Sequence, residues 1–263
     1  MSKIRLFYTI ISLIIVLFCF LMIIIDSVNN SLYLIILLSG IFLIFYMRII
    51  ELAKENRVKN IYFQKCQPHK YLVEHQELIS GYVLSKKQII KDQLFNIIVY
   101  LSEGNLSEAK IILDELSIKT SKLTNVELYW LMVGWINYFD EIDDLERMEI
   151  FFNKLKSLIA DLPHYFKVKT ENNFLKLQAR FFIKNGIYLD NAETTFNDSL
   201  KSRRYFINVL NAIYYLGLIA FKQNKKEVAL ERLNFIVQTK LKELAIYHKA
   251  LEIVEQISNE PTI

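Results

Sequence analysis

The chain is poor in residues that break regular structure, with three prolines and six glycines in 263 positions. So few leave little room for flexible or proline-rich linkers. Long alternating β-branched runs are also missing after residue 50, which argues against strands. The two cysteines, Cys19 and Cys66, are too few for a disulfide framework, as suits a reducing compartment. No Gly-rich phosphate loop, G-x-S-x-G or H-E-x-x-H occurs. The expectation is a non-enzyme with no catalytic, cofactor or metal site. Cys66, His69 and His75 in CQPHKYLVEH offer a thiol and two imidazoles, but at no familiar zinc spacing. The acids of DEIDDLE, 140–146, lack the glycine and the ligand spacing of a calcium loop. They read as a helix start, where acids oppose the positive end of the helix dipole.

Charge is missing from two stretches near the start of a chain that is 53% apolar. Leu6 to Ile25 and Ser31 to Met47 hold no Asp, Glu, Lys, Arg or His. A twenty-residue helix spans about 30 Å, the hydrocarbon thickness of a bilayer. The first run is longer than a signal-peptide core and lacks a small-x-small cleavage site. Two transmembrane helices are expected, over 6–25 and 31–50, as a hairpin anchor closed by DSVNNS. The alternative is one spanning helix with a buried partner. Lys3 and Arg5 before the first run, and Arg48, Lys54, Arg57 and Lys59 after the second, place both flanks on the cytoplasmic side. The expected location is thus a cell membrane, multi-pass, with both termini and the rest of the chain cytoplasmic. Spans without acidic, basic or histidine side chains argue against a channel or transporter.

Residues 48–91 carry nine Lys/Arg against four Glu, and residues 92–263 carry 21 Lys/Arg against 23 Asp/Glu. The basic excess next to the expected anchor suits an anionic leaflet. No basic stripe with interleaved aromatics follows, so no nucleic-acid partner is expected.

Beyond residue 68 the apolar residues recur at three and four. In GNLSEAKIILDEL, 104–116, Leu106, Ala109, Ile112, Leu113 and Leu116 share one helical face, and Gly104-Asn105 breaks and caps the chain before it. The same periodicity predicts helices over 69–84, 86–103, 106–120, 124–139, 142–160, 167–185, 189–202, 204–223, 225–239 and 242–258. Short polar breaks such as SEGN, IKNG and KQNKK fold each helix back on its neighbour. The fold class expected is all-α, with two transmembrane helices followed by a cytoplasmic solenoid of helical hairpins. Its parts are an anchor at 1–50, a basic juxtamembrane helical region at 51–85, repeats at 86–241, and a capping helix with tail at 242–263.

Gly104, Ala109 and Leu113, which follow Tyr100, recur in spacing as Asn224, Ala229 and Leu233 of AIYYLGLIAFKQNKKEVALERLNFIV, 212–237, with Gly217 twelve residues before Ala229. YWLMVG, 129–134, matches the first helix of such a unit. The pattern resembles the tetratricopeptide repeat family over roughly 86–240. Departures are Glu146 where an alanine is expected, Arg180 in place of a small residue, and an extra residue before Ala192. Unit spacings of 37, 46 and 37 residues, counted between positions 109, 146, 192 and 229, differ from the usual 34. A helical solenoid of another kind remains open.

In that family the first helices of successive hairpins line a groove for a peptide or partner helix. The resemblance places Leu94, Ile98 and Leu101, then Leu131, Trp135 and Tyr138, then Asn211, Tyr214, Leu218 and Phe221 in the groove. The competing reading puts these aromatics in the core between hairpins. Lys91 is the single basic residue such a lining offers, which argues against a terminal-carboxylate ligand. The expected function is a membrane-anchored scaffold or adaptor, bound to the bilayer through 6–25 and 31–50 and to a protein or amphipathic peptide through an apolar, aromatic groove. The alternative is a membrane regulator or self-protection protein acting through its hairpin. The Ile-, Lys-, Asn- and Tyr-rich composition suggests a low-GC bacterium.

Overall fold

A computed structural model of the chain describes residues 10–11, 13–18, 20–21, 30–201 and 204–259. Among them every regular element is helical, apart from an isolated bridge at Tyr82. Residues 10–11, 13–18 and 20–21 are helical. The later helices are α1 (Asn30–Phe63), α2 (Pro68–Ser80), α3 (Lys86–Glu103), α4 (Leu106–Ile118), α5 (Asn125–Glu141), α6 (Leu145–Ala160), α7 (His164–Asn185), α8 (Leu189–Lys201), α9 (Phe206–Lys222), α10 (Lys226–Gln238) and α11 (Ala245–Asn259). A 3₁₀ turn, Thr120–Lys122, joins α4 to α5. The chain divides into two units, residues 1–60 with 73–86, and residues 61–72 with 87–263.

In the first unit α1 does not stop near residue 50. It continues without a break through Glu51, Lys54, Glu55, Arg57 and Lys59. Arg48 pairs with Glu51 at 3.7 Å, and Arg57 with Glu74 at 3.9 Å. Gly40 lies against Val16, and a Cβ there would sit 3.8 Å from the valine methyl. The apolar side chains around these positions are largely exposed, Phe42 by 71%. Among the described residues no helix is long and apolar enough to cross a membrane.

That finding corrects the expectation of two transmembrane helices at 6–25 and 31–50. The second apolar run is the first part of a 34-residue helix whose remainder is charged. With the spans go the bilayer as a partner, the multi-pass membrane location with a cytoplasmic domain, and both membrane-based functions. Lys3, Arg5, Cys19, residues 26–29 of the expected connecting loop, and Pro261 lie outside the described residues.

The second unit is built from helical hairpins that share one turn. The amide N–H of Asn105 donates to the Tyr100 carbonyl at 2.9 Å, Asp144 to Phe139 at 3.0 Å, Ile187 to Phe182 at 3.0 Å, and Lys225 to Ala220 at 2.8 Å. This bond reaching back five residues ties off the first helix of each hairpin, as in a Schellman motif. The residue before each donor has positive φ: Gly104 (83°), Asp143 (56°), Gly186 (67°) and Asn224 (59°). Glycine, asparagine and aspartate tolerate that region best.

The second helix then starts on a repeated bond. Ala109, Met148 and Ala229 donate to the residue four before, and so does Ala192 one residue later in its own turn. All four side chains are fully buried. Met148 therefore occupies the position where alanine stands elsewhere, and Glu146 is a first-turn acid of α6. Asn105 accepts from the Glu108 N–H at 3.3 Å, and Thr124 and Glu127 form a reciprocal capping box.

Packing is closest within the pairs α5–α6, α7–α8, α8–α9, α9–α10 and α10–α11, and α7 also touches α9. Two glycines permit the closest approaches. A Cβ on Gly134 would lie 2.9 Å from Leu113 Cδ2, and one on Gly217 2.8 Å from Leu233 Cγ and Cδ2. The largest core joins α3 to α7 around Ile97, Leu113, Tyr129, Ile136, Met148 and Leu155. A second core lies around Ile183, Phe196, Leu216 and Ile219.

Candidate ligand cavity

A cavity of about 660 Å³ opens within the second unit. Its walls come from α3, α5, α7 and α9, the first helices of the four hairpins, with additions from the end of α1, from α8 and from Leu244–Ile246. On α5 the lining runs through Val126, Glu127, Trp130, Val133, Asn137 and Glu141, spaced three and four apart along one face. On α7 it takes Phe166, Asn173, Lys176, Leu177 and Arg180, and on α9 Ile207, Asn208, Asn211, Ala212 and Tyr215.

Of the residues singled out in the sequence, Leu94, Ile98, Leu101, Asn211 and Lys91 line the cavity. Leu131, Trp135 and Tyr138 lie in the core of α3–α7, each no more than 9% exposed. Trp135 Nε1 donates to Ser117 Oγ at 3.0 Å, and its ring stacks on Phe139 at 5.2 Å. Tyr214 is buried, and burial pushes its hydroxyl far above the ordinary tyrosine value. Leu218 packs partly buried against the second core, and Phe221 against Ala220, Ala229 and Ile257.

Three features of the wall have no counterpart in the sequence reading. First, the end of α1 supplies Tyr62 and Phe63. Tyr62 meets Phe95 edge-on at 5.8 Å, and Phe63 stacks on Tyr205 at 4.5 Å. Tyr71 backs the pair, 5.5 Å from Phe95. Burial pushes the Tyr62 hydroxyl and the neighbouring Cys66 thiol each to about 12, so neither ionises near neutral pH.

Second, a buried charge network joins α5, α7 and α9. Arg180 bonds Asp140 through Nη2 and donates from Nη1 to Asn137 Oδ1 at 2.5 Å. Lys184 approaches the other Asp140 oxygen at 3.8 Å. The Tyr215 hydroxyl lies 3.5 Å from Asp140 Oδ2, and its ring receives the Arg180 guanidinium at 5.2 Å. Burial by itself would raise the Asp140 carboxyl. The charges of Arg180, Lys184 and Lys249 outweigh it and hold the carboxyl below its usual range. Arg180 is the position where the hairpin pattern calls for a small residue, and the network is what that departure accommodates.

Third, the wall keeps polar groups without partners. Among the described residues, the buried atoms Arg180 Nε and Glu127 Oε1 have none. Glu127 Oε2 is occupied, accepting from the Thr124 N–H at 2.9 Å and its hydroxyl at 2.8 Å. Glu141 is held by Lys249 at 2.6 Å. Lys176 is half-buried, and burial lowers its ammonium from the ordinary lysine value. Among the described residues neither Lys176 nor Lys91 has a carboxylate in ion-pair range, so this wall carries more positive charge than Lys91 alone supplies.

Chemically the cavity wall is amphipathic, with aromatic and aliphatic side chains beside charged and amide groups. No group of three or more His, Cys, Asp or Glu among the described residues is placed to hold a metal.

No protein-family model matches the chain, and neither a curated protein nor a solved structure matches it. No family match therefore stands behind the tetratricopeptide resemblance, and what the structure supports is coarser: an all-helical chain of hairpins with a common turn.

Proposed function

We propose that the second unit is a recognition module, not an enzyme, and that it holds a peptide segment in the cavity between α3, α5, α7 and α9. The observation that carries this reading is the pair of buried, unpartnered atoms on the wall, one a donor (Arg180 Nε) and one an acceptor (Glu127 Oε1). A buried polar group without a partner is costly, about 1–3 kcal/mol. A peptide backbone brings acceptors and donors together, whereas a simple ion or an apolar molecule brings at most one kind. The aromatic rings of Tyr62, Phe95, Trp130 and Phe166 on the same wall suit apolar side chains. The volume falls in the range of about 300–1,000 Å³ that encloses ligands of short-peptide size.

The test is selection of peptide binders to the full chain from a displayed random library, followed by titration against Trp130→Ala. Binders that compete with one another and lose at least about tenfold in affinity on that substitution support the reading. Binders indifferent to it would remove the cavity as the binding surface.

A further inference from the structure

We propose that the segment this cavity accepts is acidic, with an Asp or Glu side chain seated between Lys176 and Arg180 and an apolar neighbour against Trp130. The proposal rests on the peptide-binding reading and goes further by naming the charge of the partner.

The charges on the wall favour an acidic partner. The wall carries two carboxylates, and the fold engages one fully and the other through a single oxygen. Glu141 is paired with Lys249, and one oxygen of Glu127 is bound by the cap of α5. The cations are engaged differently. Arg180 spends both terminal nitrogens on Asp140 and Asn137, yet its Nε is buried without an acceptor. One turn earlier on the same face of α7, Lys176 has no carboxylate in reach among the described residues. Lys91 on α3, also without a carboxylate in reach among the described residues, adds another cation to the wall. A carboxylate entering here meets a lysine ammonium and a guanidinium N–H four residues apart on one helix, a spacing that puts both on the same side. It also enters a half-buried site, where such bonds are stronger than at the open surface. Trp130 on the facing helix α5 lines the same cavity and offers a ring to the adjoining residue. Glu127 Oε1 remains available for a backbone N–H of the bound segment.

The acid is taken as an internal side chain, and blocking the C-terminus of the bound peptide separates it from a terminal carboxylate.

The experiment uses the full chain and a displayed random-peptide library, selected in parallel on the wild type and on Lys176→Gln. Wild-type binders should be enriched in Asp or Glu beside an aromatic or aliphatic residue, and the enrichment should vanish on Lys176→Gln. An individual wild-type binder should weaken about tenfold when its acid is changed to the matching amide. Its affinity should fall with added salt. A blocked C-terminal amide should leave its binding intact.

Wild-type binders that compete for the cavity and depend on Trp130, but show no acidic enrichment, would overturn this proposal while leaving the peptide-binding reading in place. Loss of binding on amidation alone would transfer the role to a terminal carboxylate and likewise overturn it. Absence of any binder dependent on Trp130 would overturn both readings. Lys91→Gln is the second variant. It should weaken acidic binders by a smaller factor, since Lys91 is exposed while Lys176 is half-buried.

Discussion

Arg180 of α7 lies against Asp140 of α5, with the carboxylate 3% exposed and the guanidinium 16%. The pair forms the hub at which α5, α7 and α9 meet, since Tyr215 contributes both its hydroxyl and its ring. Removing the cation leaves a buried carboxylate uncompensated. Arg180→Met should destabilise the chain by about 3–5 kcal/mol, and the joint change Asp140→Leu with Arg180→Met should recover part of that loss. Urea denaturation of both variants measures it. Equal stability of wild type and Arg180→Met would show that the pair is not the hub.

The same pair sets a pH dependence. The folded Asp140 carboxyl is held below its ordinary value. Its stabilisation is therefore complete above pH about 4, where the unfolded carboxyl is ionised. It is lost as pH falls through the lower folded value. Unfolding midpoints between pH 2 and 6 should fall more steeply in the wild type than in Asp140→Asn, which is already destabilised at neutral pH. Parallel curves would assign acid sensitivity to other groups.

Gly134 and Gly217 are close-approach positions, and Gly186 is a conformational one. An alanine methyl at Gly217 would stand 2.8 Å from Leu233 Cγ, whereas one at Gly186 meets nothing within 4 Å. Gly217→Ala and Gly134→Ala should each cost about 1–3 kcal/mol through overpacking. Gly186→Ala should cost about 1–2 kcal/mol through its φ of +67° alone. Thermal melts rank the three. The distinguishing result is rescue of Gly217→Ala, and not of Gly186→Ala, by Leu233→Val.

The two tryptophans should behave as a core residue and a cavity residue. Trp135 is 9% exposed and hydrogen-bonded to Ser117. Trp135→Ala should cost about 3–5 kcal/mol, and Trp130→Ala distinctly less. Acrylamide should quench the emission of Trp135→Phe, which keeps Trp130, more strongly than that of Trp130→Phe. Equal quenching would contradict the assignment of Trp130 to the cavity wall.

Much of the helical layout was legible because helices announce themselves by period and by their turns. Gly104-Asn105 and Asn224 were visible as breaks, and Ala109, Ala192 and Ala229 as a recurring alanine. Met148 was not visible as their counterpart. A methionine does not look like an alanine, and the shared feature is a backbone hydrogen bond. The cavity wall was harder to read for a geometric reason. A helix turns 100° per residue, so a small error in choosing the facing stripe exchanges wall for core. On α5 the wall passes through 126, 130, 133 and 137, while Trp135 and Tyr138 turn into the core. Tyr62 and Phe63 were hidden because the segment that supplies them is remote in sequence from the hairpins. The apolar stretches before residue 50 suggested spans by composition. Composition did not reveal that the second stretch belongs to one helix continuing to Phe63.

On the reading proposed above, the cavity receives the partner and the aromatic core beside it does not. The most direct measurement places a photoreactive phenylalanine at position 130 or at position 135 and irradiates each variant with a library-selected peptide. Position 130 should give a peptide adduct whose yield falls on Lys176→Gln, and position 135 should give none. Adducts of equal yield from both positions, or from position 135 alone, would contradict the account.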